Sequence, residues 1–444
     1  MTQFLATTFL GLHTDQWWII LIGVLACSSA GLIGSFLILR KLALMGDAIS
    51  HSVLPGIAVA SIWTGSVASF PVLIGASVVG VLTPMLVDAL KKTGRIYEDA
   101  SIGVVFTVLF SIGVIMVSRA GNVDLDIDCV LYGEIAMAPF DVVTLGKNFV
   151  LGPRAFLILA FVFVLNVLFV TFFYKELKVS SFDPALAESM GLRPRLMHYL
   201  LLGFVALTTI AAFESVGAII VVAMLIAPGA TAYLLTDRLG VLLFFSALFG
   251  ALAAFLGYMM ALGLGGKVSI AGCIAVMAGA LFAIVFFFSP SYGMVPKAWR
   301  RLLLARRLAR EHILGALYRL QEDGPDWIDE QDVFDKHPES RPYIKKAARQ
   351  LMANGMLLWE GSRMRLTNAG FEKAITHVRA HRLWESFLEQ HLNLPPDHVH
   401  RSADDMEHFL GPDILDNIVS SLENPEEDPH GQPIPKQTSK RSSK

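Results

Sequence analysis

About nine apolar segments fill residues 1–299 of this chain, each long enough to form one helix across a bilayer. A helix needs about 20 apolar residues to cross the hydrocarbon core, where its backbone polar groups must be satisfied within the helix. Charged residues make up only 17% of the chain, against about 25% in soluble proteins. The pattern predicts an all-α polytopic membrane domain of about nine spans, with eight to ten allowed, at residues 17–39, 50–66, 68–90, 100–118, 155–174, 196–213, 215–235, 240–263 and 269–289.

Charge is concentrated after residue 299, where nine of the twelve histidines also lie. This contrast predicts a transmembrane domain at 1–299 and a soluble domain after it. Loops rich in Lys and Arg remain in the cytoplasm, and such loops lie near residues 40–41, 91–95, 175–195 and 300–301. The loop at 122–128 is acidic, so we expect it outside, together with the N-terminus, and the soluble domain in the cytoplasm.

A polar tract interrupts the apolar pattern at residues 40–56. Asp47 and His51 are four residues apart and would share one face of a helix. An ionisable side chain within a membrane costs about 2.5–3.5 kcal/mol on insertion scales, and its presence there indicates a function. A carboxylate with an imidazole suits a divalent transition metal, so this pair is a candidate metal site. Glu214, between two apolar segments, is either a further polar group in the path or a residue at the membrane surface.

The basic loop at 175–195 carries clear helix-boundary signals. Asp183 is suited to cap a helix whose first residue is Pro184, and Gly191 is suited to end it. We therefore predict a short exposed amphipathic helix within 182–192. On these features alone it is either a surface connector or a docking element.

The soluble part has the element order of a winged-helix domain at residues 300–370. Three helical segments precede two short apolar strands, and a Gly-containing turn at 360–363 joins these strands as a β-hairpin. The basic start at 300–307 either lies along the anionic inner leaflet or leads into the soluble domain. Two longer helices occupy 371–424, and the Pro- and Ser-rich tail at 425–444 is predicted to be flexible.

Histidines and carboxylates recur at helical spacing in these two longer helices. His381 and Glu385 are four residues apart and would share a helix face. A second set adjoins one face of the next helix, at His400, Asp404, Glu407 and His408. Mixed imidazole and carboxylate ligands favour Mn, Fe or Zn over Ca or Mg, and the absence of thiolates argues against Cu(I). The alternative is a solvated dimer surface.

The tract at 40–56, the 182–192 loop and the stretches at 214–217 and 227–232 together resemble the permease subunit of manganese, zinc and iron ABC importers. The resemblance covers residues 15–292 and is most specific at 40–56. It implies Asp47 and His51 as the metal pair of the translocation path in the bacterial cytoplasmic membrane. It also implies three partners: a second permease copy or paralogue, an extracytoplasmic metal-binding protein, and an ATPase docked on the loop, with contacts at Phe182, Asp183, Pro184, Met190 and Gly191.

Residues 308–436 resemble the metal-responsive repressors that control iron and manganese uptake, through the motifs at 378–388, 399–410 and 428–435. The resemblance implies a winged-helix region and a metal-binding and dimerisation region. It implies one metal site formed by His381, Glu385 and His400. It implies a second formed by Asp404, Glu407 and His408 with His312, which stands where the family has Met or Asp.

These observations favour a metal-importer permease with a fused cytoplasmic metal sensor. The alternative is a membrane-tethered, metal-dependent transcription regulator that binds DNA through its winged helix. Positive charge for phosphate contacts is provided by Arg341, Lys345, Lys346 and Arg349. Acidic residues just before them oppose DNA binding. The chain has no P-loop motif, so we expect ATP hydrolysis in a separate subunit and no enzyme activity here. The transported metal stays open among Mn, Fe and Zn.

Overall fold

The computed structural model describes residues 13–64, 70–119, 135–145, 149–265, 268–322, 324–336, 341–423 and 425–436. The chain divides into two compact units, Met1–Pro296 and Lys297–Lys444, here called the membrane unit and the C-terminal unit. The acidic loop at 122–128, on which the predicted orientation partly rests, lies outside the described residues. The end of the tail, 437–444, does so as well.

The described part of the membrane unit consists mainly of apolar helices. Their order is α1 Thr14–Leu39, α2 Ala43–Ser52, α3 Leu54–Thr64, α4 Phe70–Lys91, α5 Glu98–Arg119, α6 Arg154–Phe172, α7 Tyr174–Phe182, α8 Pro184–Ser189, α9 Pro194–Val216, α10 Ala218–Tyr233, α11 Leu239–Gly263 and α12 Ile270–Phe288. A small antiparallel hairpin, β1 Val142–Leu145 and β2 Phe149–Pro153, precedes α6.

Eight helical stretches in the described residues are long and apolar enough to cross a membrane, with α2 and α3 together forming one of them. A ninth, shorter apolar helix lies at Ile220–Tyr233, within the segment predicted as a span at 215–235. The polytopic helical architecture is therefore confirmed. The span predicted at 50–66 differs from the structure, because the helical stretch begins at Ala43 and breaks before Leu54. Pro55 explains the break, since it supplies no backbone N–H and restricts the residue before it.

Helix α1 lies in the interior of the membrane unit, where its middle and C-terminal half are buried. It approaches its neighbours through small residues. A Cβ at Gly34 would collide with the Leu225 carbonyl of α10, and one at Gly250 of α11 would lie 2.5 Å from the Cys27 carbonyl. Backbones therefore touch directly at these points, as in membrane helices that pack through small residues.

A buried polar contact ties three helices of this unit together. The Asn166 side-chain amide of α6 donates to Ser29 Oγ of α1 at 2.6 Å and to Thr208 Oγ1 of α9 at 2.7 Å. All three side chains are fully buried. In hydrocarbon such polar groups need protein partners, so this contact favours one arrangement of α1, α6 and α9.

The C-terminal unit begins within the long helix α13, Met294–Glu322, and continues with β3 Ile328–Asp329, α14 Glu330–Lys336, α15 Arg341–Ala353, β4 Leu357–Glu360 and β5 Arg363–Leu366. The strands form one antiparallel sheet in the order β3-β5-β4, with Trp359 opposite Met364. Side chains of α13, α15 and the sheet share one apolar core. The winged-helix pattern and its hairpin are confirmed; the two-residue strand β3 was not predicted, because it is too short to show alternation.

Three helices complete the unit: α16 Asn368–Leu392, α17 Pro396–Met406 and α18 Pro412–Ser421. Residues 425–436, predicted to be flexible, are instead held against α16. Arg379 donates to the Pro435 carbonyl at 2.8 Å, and Arg382 donates to the Pro433 carbonyl at 2.6 Å. Arg382 also forms a bidentate ion pair with Glu322 of α13. Arginines whose partners lie far away in the sequence cannot be recognised from local composition.

Candidate metal sites

The predicted pair in the membrane unit lies on α2, with both side chains on one face. The distance from His51 Nε2 to Asp47 Oδ1 is 3.5 Å. The side chain of His51 is 26% exposed and that of Asp47 is 45% exposed. The aromatic rings of Phe106 and Phe110 from α5 flank the imidazole at centroid distances of 6.2 and 6.0 Å. The pair offers one carboxylate and one imidazole to an ion and leaves the other coordination positions open. Among the described residues, the membrane unit contains no group of three such ligands.

Arg40 connects this tract to the C-terminal end of α7, next to α8. It caps the C-terminus of α1, and its guanidinium donates to Ser180 Oγ at 2.8 Å and Ser181 Oγ at 3.0 Å. Lys41, the next residue, adopts a positive φ of 59°, a conformation that is uncommon for a residue with a side chain. The chain therefore turns sharply between α1 and the helix that carries Asp47.

The short helix predicted within 182–192 is α8, and its boundary signals act as predicted. Asp183 accepts a hydrogen bond from the Leu186 N–H at 2.9 Å, Pro184 is the first helical residue, and Gly191 has a φ of 78°. Phe182 and Met190 are both 61% exposed, as Leu186 is to 50%. The loop thus presents an apolar surface around a well-defined helix. Glu214 belongs to α9, but its side chain lies outside the described part of the structure.

In the C-terminal unit, the first cluster consists of His381 and Glu385 of α16 and His400 of α17. The Glu385 Oε1 atom lies 3.1 Å from His381 Nε2 and 2.8 Å from His400 Nδ1. These two imidazole nitrogens are 3.1 Å apart. The structure therefore brings together the three residues predicted as one site. His430, from the tail segment, lies at its edge with Nε2 4.0 Å from Glu385 Oε1.

The second cluster surrounds the other ring nitrogen of His381, Nδ1. His381 Nδ1 lies 2.7 Å from Glu407 Oε2 and 3.4 Å from Asp404 Oδ1. Arg319 of α13 approaches both carboxylates, at 3.4 Å from Glu407 and 3.9 Å from Asp404. His381 is therefore shared between the first two clusters, and Arg319 balances part of the negative charge of the second.

The third cluster groups Glu311 of α13, His377 of α16 and His408, which follows α17. His408 Nδ1 lies 2.8 Å from Glu311 Oε2, and its Nε2 lies 3.0 Å from His312 Nε2. The residues of the predicted second site are thus spread over two adjoining clusters: Asp404 and Glu407 face His381, whereas His408 faces Glu311 and His312. The Oε1 atom of Glu407 lies 3.8 Å from His408 Nε2 and connects the two groups. Sequence reasoning missed Glu311 and His377. His377 stands four residues before His381, and this spacing was the available signal.

Burial and hydrogen bonding set the charge states of these clusters. Burial opposes ionisation of Glu385, but hydrogen bonds with His381 and His400 lower its pKa to about 2. Burial also opposes ionisation of Glu311, yet its contacts with His408 and Arg307 lower its pKa to about 2. Burial lowers the pKa of His381, but its hydrogen bonds with the flanking carboxylates outweigh this effect and raise the pKa above its ordinary value. The carboxylates are therefore ionised at neutral pH, ready for a cation or a proton on His381.

His377 differs from His381 because desolvation dominates. Burial lowers its pKa, and the opposing attraction of Glu311 and Glu407 is weaker. The imidazole of His377 is therefore neutral at neutral pH, which is the form that coordinates metal ions.

Two family models match the chain. The ABC 3 transport family matches residues 16–289, and the iron dependent repressor metal-binding and dimerisation domain matches residues 367–436. The first covers the membrane unit from α1 to the end of α12. The second covers the helices that carry most of the histidine and carboxylate ligands of the three clusters.

Several known proteins are similar to this chain. The manganese transport system membrane protein MntD of Bacillus subtilis is 50% identical over 294 residues, which cover 66% of this chain and 98% of that protein. A probable metal transport system membrane protein of Chlamydia trachomatis is 26% identical over 439 residues and covers 94% of this chain and 95% of its own length. The solved structure of PsaBC from Streptococcus pneumoniae in complex with Fab matches with 32% identity and a TM-score of 0.54, covering 64% of this chain and 95% of that one.

Proposed function

This chain belongs to the ABC 3 transport family, and we propose that it is the membrane-spanning permease subunit of an importer for manganese or a closely related divalent metal ion. We further propose that residues 300–436 form a cytoplasmic domain that senses the same metal. The similarity to a manganese transport protein supports manganese as the first candidate. Zinc and iron(II) favour the same nitrogen and oxygen ligands.

The observation that carries the transport proposal is the Asp47–His51 pair on α2. The two ligands share a face in a segment that is otherwise apolar, where unneeded ionisable side chains are costly. Both are partly exposed, and two ligands hold an ion less tightly than a complete coordination shell. An ion that must bind and then leave is served by such an incomplete site.

The test is uptake of radiolabelled Mn²⁺ by cells that express the complete transporter, with Zn²⁺ and Fe²⁺ as competitors. The variants Asp47→Asn and His51→Gln keep the side-chain size and remove a ligand. Leu44→Met on the same helix, with an exposed side chain, is the matched control. Loss of uptake in both ligand variants but not in the control supports the proposal, while normal uptake in either correctly assembled variant overturns it.

Docking of an ATPase on α8 completes this proposal. The apolar side chains of Phe182, Leu186 and Met190 are exposed beside a helix whose ends are fixed by Asp183 and Gly191. The contact of Arg40 with Ser180 and Ser181 gives movement at the loop a direct connection to the tract that holds Asp47. A cysteine at position 190 should form crosslinks to the ATPase, whereas one at Val276, exposed on α12, should not. Crosslinks from position 276 but not from position 190 would refute docking at α8.

The sensing role follows from where the C-terminal ligands lie in the chain. They all come after the last candidate span, so an ion could cross the membrane without meeting them. The basic loops predict that this unit is cytoplasmic, where it would meet the ion after import. We therefore propose that it binds cytosolic metal and reduces further uptake as feedback.

DNA binding is the second candidate role, favoured by one surface. Helix α15 exposes Lys345, Lys346 and Arg349, as phosphate contacts require. The neighbouring helix α14 exposes Asp332 and Asp335, which would repel the same phosphates. Fluorescence anisotropy with a labelled duplex, with and without Mn²⁺, separates the roles: metal-dependent binding that falls steeply with salt would establish this second role.

A further inference from the structure

We propose that the third cluster, Glu311, His377 and His408, is a separate binding site for one divalent transition metal ion, which joins α13 to α16. Two of its three residues, Glu311 and His377, belong to neither of the sites implied by the sequence motifs. The inference deepens the proposed sensing role. Its test is direct metal binding, which does not depend on transport.

The positions of the ligand atoms fit one ion. All three candidate ligand atoms lie within 4.8 Å of one another. Glu311 Oε2 is 2.8 Å from His408 Nδ1, and Glu311 Oε1 is 3.9 Å from His377 Nε2. Ligands bonded to zinc at about 2.0–2.2 Å lie at most about 4.4 Å apart. Small side-chain movements therefore suffice to close the three atoms around an ion.

The imidazole of His377 is the part of this cluster that points most directly to a bound ligand. Its side chain is 11% exposed, and its Nε2 atom is buried without a hydrogen-bond partner. A buried polar nitrogen without a partner is unfavourable, and such exceptions need a specific reason. Coordination of a metal ion by this nitrogen would provide the missing interaction.

His312 positions the third ligand. The Nε2 atom of His408 lies 3.0 Å from His312 Nε2, which leaves the Nδ1 atom directed at Glu311. A hydrogen bond at one ring nitrogen fixes the tautomer and directs the other nitrogen at a metal, as is common around histidine ligands. His312 is therefore a positioning residue for this cluster.

Arg307 limits the affinity of the cluster. Its Nε donates to Glu311 Oε1 at 2.9 Å, so that the carboxylate has Oε2 available for an ion. The arginine side chain is 56% exposed, and water screens its repulsion. The negative charge of Glu407, whose Oε1 lies 3.8 Å from His408 Nε2, offsets part of the positive charge of Arg307. Two imidazoles and one carboxylate oxygen form a donor set that suits zinc, manganese and iron(II).

The chain segments involved set this cluster apart from the other two. The first two clusters draw their ligands from α16, α17 and the residue that follows α17. The third adds α13, which starts at Met294 soon after α12 ends at Phe288. An ion here would fix α13, the helix that follows the last candidate span, to the ligand-bearing helix α16.

The test measures bound Zn²⁺ per chain in purified full-length protein in detergent, by equilibrium dialysis and mass spectrometry. His381→Gln removes the residue shared by the first two clusters and should leave one bound Zn²⁺. Adding His377→Gln should remove this last ion. Adding His391→Gln instead, at an exposed histidine of the same helix, should not. Glu311→Gln in the His381→Gln background should act like His377→Gln.

With chelator present, the variants must keep the circular dichroism spectrum and melting temperature of their equally treated parent, which separates ligand loss from unfolding. A His381→Gln protein without bound Zn²⁺, or one whose residual ion survives His377→Gln, overturns the proposal. These results leave the transport proposal unaffected, because uptake is measured separately.

Discussion

The two units of this protein place the same ligand types in contrasting environments. In the membrane unit, Asp47 and His51 are 45% and 26% exposed and stand 3.5 Å apart as an isolated pair. In the C-terminal unit, His381 and Glu385 are 3% and 2% exposed and hydrogen-bond to each other within larger groups. An open pair suits an ion that passes on, whereas buried groups with several ligands suit an ion that stays. This difference agrees with the proposal that the membrane unit transports the ion and the C-terminal unit senses it.

The largest expected effect separates these roles directly. Asp47→Ala or His51→Ala should abolish Mn²⁺ uptake, because each removes half of the only ligand pair on α2. The double variant His381→Ala with Glu407→Ala should transport normally but lose its inhibition by high cytosolic metal. Uptake assays in cells preloaded with metal compare the variants. Complete loss of transport in a folded double variant would mean that the C-terminal unit is required for transport.

The second effect concerns pH. Burial opposes a charge on His381, but hydrogen bonds with Glu385 and Glu407 outweigh burial and raise its pKa. Its proton therefore competes with metal from a higher pH than that of an ordinary imidazole with a pKa of about 6.5. Metal affinity of the full-length protein should therefore fall about tenfold per pH unit below that raised pKa. Isothermal titration with Mn²⁺ between about pH 8 and about pH 5.5 measures this. Affinity independent of pH over that range would contradict a histidine site.

The third effect tests the close backbone packing of α1 within the membrane unit. Gly34→Ala should destabilise the membrane unit by about 1–3 kcal/mol, because the new methyl group meets the Leu225 carbonyl and backbone must move. Gly279→Ala on α12 is the matched control, since its Cβ would meet no atom within 4 Å. Melting temperatures in detergent compare the two. An unchanged melting temperature in Gly34→Ala would show that α1 can move away from α10.

The smallest effect tests the attached segment 425–436. Arg379→Gln removes the hydrogen bond to the Pro435 carbonyl, which is worth about 1 kcal/mol. Hydrogen exchange in this segment should accelerate about fivefold if opening becomes that much easier. Arg363→Gln, on the exposed hairpin, is the control. Equal exchange rates in both variants would mean that other contacts hold the segment.

Local patterns predicted the elements that depend on nearby residues. Apolar runs located the spanning helices, and capping chemistry located α8 between Asp183 and Gly191. The four-residue spacings of Asp47 with His51 and of His381 with Glu385 predicted pairs that the structure places side by side. Each of these features is decided within one or two helical turns.

Features that depend on distant parts of the chain escaped prediction. Glu311 meets His377 and His408 only because α13 packs beside α16 and the end of α17. The segment 425–436 is held by arginines of α16 rather than by its own composition. The pairing of β3 with β5 likewise depends on strands far apart in the chain. Sequence spacing shows which residues can share a face, but only packing decides which faces meet.

The close approach of α1 to α10 and α11 has a consequence for the transport cycle. Where Gly34 and Gly250 bring backbones together, there are no side-chain rotamers that could rearrange to let one helix slide past another. We therefore expect these three helices to move together during a change of access. We then expect the joint between this group and α2 at Arg40 to Leu42, which separate α1 from α2 and include the positive φ at Lys41. The Asp47–His51 pair would then move with α2 relative to α1, α10 and α11.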